Sequence, residues 1–161
     1  MRLLNTSTRR IKEFRSDSIP PYAILSHTWG SEDVSFQEMM GPSSGHLSNT
    51  GFDKIAKTCE VDVGEKYEWV WIDTCCIDKP SSPELTEAIN STYNWYARAQ
   101  VCHVYLEDFG ADSPLDKLSG CRRFTRGWTL QELIAPKQMI FFDKEWNTGA
   151  RRQASWGESR T

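Results

Sequence analysis

The sequence has no excess of basic charge: Lys+Arg is 19 against Asp+Glu 22, a net charge of −3. A sequence-independent nucleic-acid binder needs surplus cations to displace counterions from phosphates, so that class is excluded. Long apolar runs are missing too. The longest, Tyr22 to Leu25 and Met139 to Phe142, fall far short of the roughly 20 residues of a membrane-spanning helix. The opening MRLLNTSTRR carries no apolar signal core, and the reading is a cytoplasmic protein. Paired cysteines are lacking: five is an odd count (Cys59, Cys75, Cys76, Cys102, Cys121), with no C-x-x-C spacing. Reduced thiols packed as small hydrophobes are expected. His27, His46 and His103 supply no spaced metal-ligand pairs, so no metal site is expected. Cys102 and His103 are strand neighbours and point to opposite faces. There is no G-x-G-x-x-G, no G-x-x-x-x-G-K-[ST], no G-x-S-x-G and no internal repeat, which removes the dinucleotide fingerprint, the P-loop and the nucleophile elbow.

What is present reads as one soluble domain. Of 161 residues, 39% are hydrophobic and 25% charged, with 7 Trp, a composition that supports a packed core. Tyr22 to His27 reads as a strand ending in Thr28-Trp29-Gly30. Gly41 to Gly51 reads as a loop by composition. Phe52, Ile55, Ala56, Cys59 and Val63 recur on one helical face, which Gly64 ends. Glu68 to Asp73 is a second strand, apolar on both faces as in a covered parallel sheet. Thr74 to Pro80 is its following loop. Ser81 and Glu84 fit a capping box with Pro83 in the first turn. The helix they start carries Leu85, Ala88, Ile89, Thr92, Tyr96 and Ala99 on its inner face. Val101 to Leu106 is a third strand, Glu107 to Gly120 a polar loop, Trp128 to Ala135 a short helix, and Gln138 to Phe142 a fourth strand. Residues 1–146 form the domain; 147–161 are polar, without periodicity, and are expected to be poorly ordered.

Alternation of strand and helix predicts an α/β fold, a flavodoxin-like parallel sheet with helices on both faces. Ligands on such sheets bind beyond the carboxyl ends of the strands. Those ends carry Ser26-His27-Thr28-Trp29, Asp73-Thr74-Cys75-Cys76 and Glu107-Asp108.

Three stretches are longer than chance motifs: Tyr22-Ala-Ile-Leu-Ser-His-Thr-Trp-Gly30, Trp69-Val-Trp-Ile-Asp-Thr-Cys-Cys-Ile-Asp-Lys79 and Arg126-Gly-Trp-Thr-Leu-Gln-Glu-Leu-Ile-Ala-Pro136. They resemble the three blocks of the heterokaryon-incompatibility (HET) domain family of filamentous fungi. That resemblance implies a programmed-cell-death effector in nonself recognition. One position departs from it: Arg123 stands where the family's W-F-T-R-G-W has its first Trp, and is expected to turn outward or to cost stability.

A more distant resemblance bears on mechanism. Tyr22 to Ser26 with Gly30-Ser-Glu-Asp33, Trp71-Ile-Asp73 with Ser82 to Ile89, and Trp128-Thr-Leu-Gln-Glu-Leu133 are similar to segments of Toll/interleukin-1-receptor (TIR) domains. The likeness implies a TIR-like sheet and cleavage of NAD at the nicotinamide–ribose bond. NAD would be the substrate, no resident cofactor is required, and the helix carboxylate, here Glu132, is the catalytic residue. Ser26, His27, Trp29, Asp73, Arg126 and Trp128 would line the site, the Trp rings stacking on flat groups and Arg126 meeting a phosphate. Each has a structural rival. Thr129-Leu-Gln-Glu132 is also a capping-box sequence, Asp73 also fits a turn cap, and His27 also fits a satisfied polar residue. Trp69, Trp71 and Trp95 read as packing. Two other classes stay open: a non-enzymatic signalling module acting by self-association or by binding another incompatibility protein, and a hydrolase pairing Cys75 or Cys76 with His27.

Overall fold

The computed structural model describes residues 1–41, 50–125 and 129–153. The loop read between Gly41 and Gly51 lies, over 42–49, outside the described residues, as do Arg126, Trp128 and residues 154–161.

Seven strands form one mixed sheet: β1 (Arg2–Asn5), β2 (Ile11–Glu13), β3 (Ala23–Ser26), β4 (Trp69–Ile72), β5 (Val101–Tyr105), β6 (Gln138–Phe142) and β7 (Thr148–Gln153). Their spatial order is β2-β1-β4-β3-β5-β6-β7. The four strands read from the sequence are the parallel centre, with β3 paired to β4 and β5, and β5 to β6. Taken in chain order they run second, first, third, fourth, the order that opens flavodoxin-like sheets. The expectation of an all-parallel sheet is corrected at both edges. There β1 and β2 pair antiparallel beside β4, and β7 pairs antiparallel to β6. β7 is built from Thr-Gly-Ala-Arg-Arg-Gln, a polar edge strand whose backbone pairs without an apolar pattern to announce it.

The helices are α1 (Phe36–Met40), α2 (Thr50–Gly64), α3 (Asp73–Cys76), α4 (Ser82–Arg98) and α5 (Thr129–Ile134). Chain order moves β3→β4 one way across the sheet and β4→β5→β6 the other. Right-handed crossovers therefore put α2 on one face and α4 and α5 on the other. Side chains agree: His103 on β5 lies 3.1 Å from Asp62 of α2, while the Trp71 ring on β4 lies 5.4 Å from that of Trp95 on α4. Burial on both faces explains the apolar central strands. Leu3, Leu4, Ala23, Ile24, Val70, Ile72, Val101, Val104 and Ile140 are completely buried, each Leu, Ile or Val side chain contributing about 1.5–3 kcal/mol.

Local readings differ at the element ends. At Ser81 the side chain makes no cap bond; Glu84 is drawn away by Arg2 and by the Asp78 N–H at 2.9 Å. A complete capping box sits at α1, between Ser35 and Glu38. The Thr74 to Pro80 loop opens with the single turn of α3, and the polar loop after β5 holds a 3-10 turn at Leu115–Gly120 followed by another at Arg122–Thr125. Gly51 is dictated by close approach: a Cβ there would stand 2.1 Å from the Glu32 carbonyl oxygen. It lets α2 begin against the loop that leaves β3.

Candidate functional site

Parallel pairing puts the carboxyl ends of β3, β4 and β5 side by side, and a cleft of about 270 Å³ opens there. Its walls include His27 and Trp29 after β3, Trp71 and Asp73 at the end of β4, Lys79, the α4 side chains Leu85, Ile89 and Thr92, and Arg123 with Glu132. Residues separated by more than a hundred positions thus share one concavity at the strand-order reversal.

The Glu132 carboxylate points to the end of β3. Ser26 Oγ donates to Glu132 Oε2 at 2.9 Å, and the Arg123 guanidinium pairs with the same oxygen. The side chain is turned to the sheet and 19% exposed. Both of these contacts fall on Oε2.

Arg123 corrects the expectation that it turns outward: its side chain is 3% exposed. Nη1 donates to the His27 carbonyl oxygen at 2.7 Å, and Nη2 donates to Ser26 Oγ. Burying a guanidinium costs several kcal/mol, which only a counter-charge and a full set of acceptors can offset. Glu132 provides the counter-charge, and the end of β3 provides acceptors for Nη1 and Nη2.

Asp73 is the second carboxylate of the cleft. His27 Nε2 donates to Oδ1 at 3.1 Å, and Trp29 Nε1 donates to Oδ2. Burial pushes the Asp73 carboxyl up, but the His27 and Trp29 donors and the Lys79 charge outweigh it and hold the group below its ordinary value. Lys79 Nζ sits 3.5 Å from the Trp29 ring centroid. One face of Trp29 is therefore taken by a cation, which narrows the stacking role expected of it.

The cysteine–histidine reading finds no support in the thiols. Cys75 and Cys76 are buried. Its hydrogen bond with Cys76 and then burial raise the Cys75 thiol well above its usual range, and burial pushes Cys59 and Cys102 up to about 12. A nucleophilic cysteine needs the opposite shift. Trp71 and Trp95 pack as expected, Trp71 being 2% exposed, though Trp71 also floors the cleft. Among the described residues no three His, Cys, Asp or Glu side chains are grouped to hold a metal ion, and no helix is long and apolar enough to cross a membrane.

Of the sequence-expected site residues, Ser26, His27, Trp29, Asp73 and Glu132 converge; Arg126 and Trp128 lie outside the described residues. Sequence reasoning missed Lys79 and Arg123 in the cleft wall, and Lys54 with Asp33 behind it, where Lys54 Nζ lies 3.3 Å from His27 Nδ1 and 2.8 Å from Asp33 Oδ1. Lys79 closes a quoted motif and was findable. Of the two alternatives for Arg123, turning outward is the one that the structure does not take. Lys54 sits on the polar stripe of a helix, where nothing distinguishes it.

A family model described as heterokaryon incompatibility protein (HET) matches residues 22–123, which hold every cleft residue named above except Glu132. The vegetative incompatibility protein HET-E-1 of Podospora anserina is 45% identical over 147 residues, 85% of this chain. The chain spans 11% of that relative's length. No solved structure matches.

Proposed function

The chain belongs to the heterokaryon-incompatibility (HET) family, and on that premise we propose that it is a cell-death effector domain of nonself recognition that hydrolyses NAD at the nicotinamide–ribose bond. The observation that carries this reading is the Glu132 carboxylate, turned into the cleft at the strand ends and held from behind by Ser26 and Arg123.

The chemistry asks little of a general acid. The C1′–N bond breaks with its electron pair going to the nicotinamide ring, which leaves neutral. Positive charge develops on the ribose, and water adds at C1′ and loses a proton. A fixed carboxylate beside the ribose favours that charge more in the transition state than in the ground state. Glu132, which lines the cleft, is the carboxylate we assign to this role. Asp73, aimed by two donors, is suited to accept from ribose hydroxyls. Lys79 stands at the same wall as the cation for a phosphate, the role first assigned to Arg126. At about 270 Å³ the cleft suits a nucleoside-sized group, since pockets enclosing drug-sized ligands run to about 300–1,000 Å³. The nicotinamide riboside half enters and the remainder lies along the strand ends.

Nicotinamide release from NAD by the purified protein, followed by chromatography, tests the proposal. Glu132→Gln is expected to lower release at least about 100-fold, the scale of losing one preorganised electrostatic group, with an unchanged circular dichroism spectrum. Equal rates for the two proteins would refute the assignment. The non-enzymatic reading is favoured by a different observation: Ile89 and Tyr93 on α4 and Ile134 on α5 are 46–49% exposed. Absence of release at high protein concentration, with oligomers in sedimentation, would support that reading instead.

A further inference from the structure

We infer that Lys54 is a positioning residue of the cleft: from the opposite face of the sheet its ammonium fixes His27 as the neutral Nε2–H tautomer, and through His27 it orients the Asp73 carboxylate. This rests on the proposed site, but its decisive measurement needs no turnover.

The geometry leaves one arrangement of protons. Lys54 Nζ lies 3.3 Å from His27 Nδ1 and 2.8 Å from Asp33 Oδ1. An ammonium has three donors and no acceptor, so Nδ1 must be the accepting nitrogen. An imidazole that accepts at one nitrogen is neutral and carries its proton on the other. That proton, on Nε2, points at Asp73 Oδ1 3.1 Å away. Protonating Nδ1 would set two cations 3.3 Å apart around a side chain that is 1% exposed. Asp33 Oδ2, at 3.9 Å from Nδ1, is beyond hydrogen-bond range of it and instead accepts from the Gly30 N–H at 2.8 Å. The Lys54 side chain is itself only 12% exposed, so the ammonium is held rather than sweeping through solvent.

The chain Asp33–Lys54–His27–Asp73 therefore links α2 to α3 beneath the end of β3. His27 is barred from acting as a general base: one nitrogen already carries a proton and the other is filled by Lys54. Its part is to aim Asp73. The charged groups facing it are Lys54 from α2, Asp33 from the loop after β3, Asp73 from α3, and Arg123, which binds its carbonyl oxygen at 2.7 Å; Lys79 stands beyond Asp73.

The test is nitrogen-15 NMR of the histidine rings, assigned with a His27→Gln control. In the unaltered protein, the neutral His27 ring is expected to show one protonated Nε2 and one unprotonated Nδ1. A Nδ1–H tautomer, or a mixture of the two tautomers, overturns the inference without any variant. Lys54→Met paired with Asp33→Asn removes both charges together and so leaves no unpaired buried carboxylate. That variant is expected to acquire mixed His27 tautomers and to lower kcat for nicotinamide release about tenfold. Lys54→Arg, which still donates, is expected to restore the single tautomer in part. A double variant whose His27 spectrum matches the unaltered protein shows that Lys54 is merely structural. If the spectra behave as stated while no protein releases nicotinamide, the hydrolase proposal fails and the tautomer lock stands.

Discussion

Two aspartates show how environment decides what one residue type contributes. Asp62 on α2 is fully buried, with Oδ1 3.1 Å from His103 Nδ1, and burial outweighs the neighbouring imidazole to raise its carboxyl. Asp73 meets the opposite balance and is held low. The signs of their pH effects follow. A carboxyl held low in the folded state binds fewer protons there than in the unfolded chain, so its stabilisation is present above the unfolded value near 3.9 and is lost as pH falls through the folded value. Urea unfolding is expected to place Asp73→Asn about 2 kcal/mol below the unaltered protein at pH 7, the scale of hydrogen bonds to a charged group. That gap should close below about pH 4. For Asp62, folded-state protonation is the favoured one, and stability drains as pH rises from about 4 upward; Asp62→Asn removes that slope. A gap at Asp73 that widens with acid would contradict the geometry drawn around it. Arg123 adds a lesson of the same kind: a cation reads as surface in a sequence unless its counter-charge can be seen, and here that is Glu132.

At the level of elements, the site depends on how α2 starts. Thr50 Oγ1 donates to Glu32 Oε2 at 2.6 Å, and Gly51 lets the helix backbone lie against Glu32 and Asp33. Gly51→Ala would drive a methyl into a carbonyl oxygen that belongs to the main chain and cannot rotate away. Overpacking of this sort costs about 1–3 kcal/mol. We expect a lowered melting temperature together with a His27 spectrum that drifts towards mixed tautomers, because the displaced loop carries Asp33. An Ala variant of full stability would mean that the helix start yields freely. The capping readings sort themselves by competition: Glu84 has a stronger partner in Arg2, whereas Glu38, with no such cation among the described residues, closes on Ser35.

Across the whole molecule, the core reaches outside the stretch that the family model matches. Residues 1–21 precede that stretch, yet Leu3 and Leu4 on β1 are completely buried and β1 pairs with β4. β6 follows it and completes the parallel centre. A chain confined to residues 22–123 is therefore expected to lack cooperative unfolding. Leu4→Ala in the full chain is expected to cost about 2–5 kcal/mol by equilibrium denaturation. Cooperative melting of the shorter chain would show that the edges are ornaments on a smaller core.

The four central strands, the covering helices and five of the seven nominated site residues were legible because burial on both faces writes an unbroken apolar run, and because ligand sites fall at strand ends in this architecture. The edge strands were not legible, since a strand paired on one side through its backbone needs no side-chain pattern. Amino-acid order alone determined which residues stand at the carboxyl ends of β3 and β4. Only the folded chain decided that Arg123 faces inward, that Glu132 meets Ser26, and that Lys54 reaches His27. Those choices are electrostatic: a buried charge settles where an opposite one is found, and partners up to about a hundred residues apart meet only once the sheet has formed.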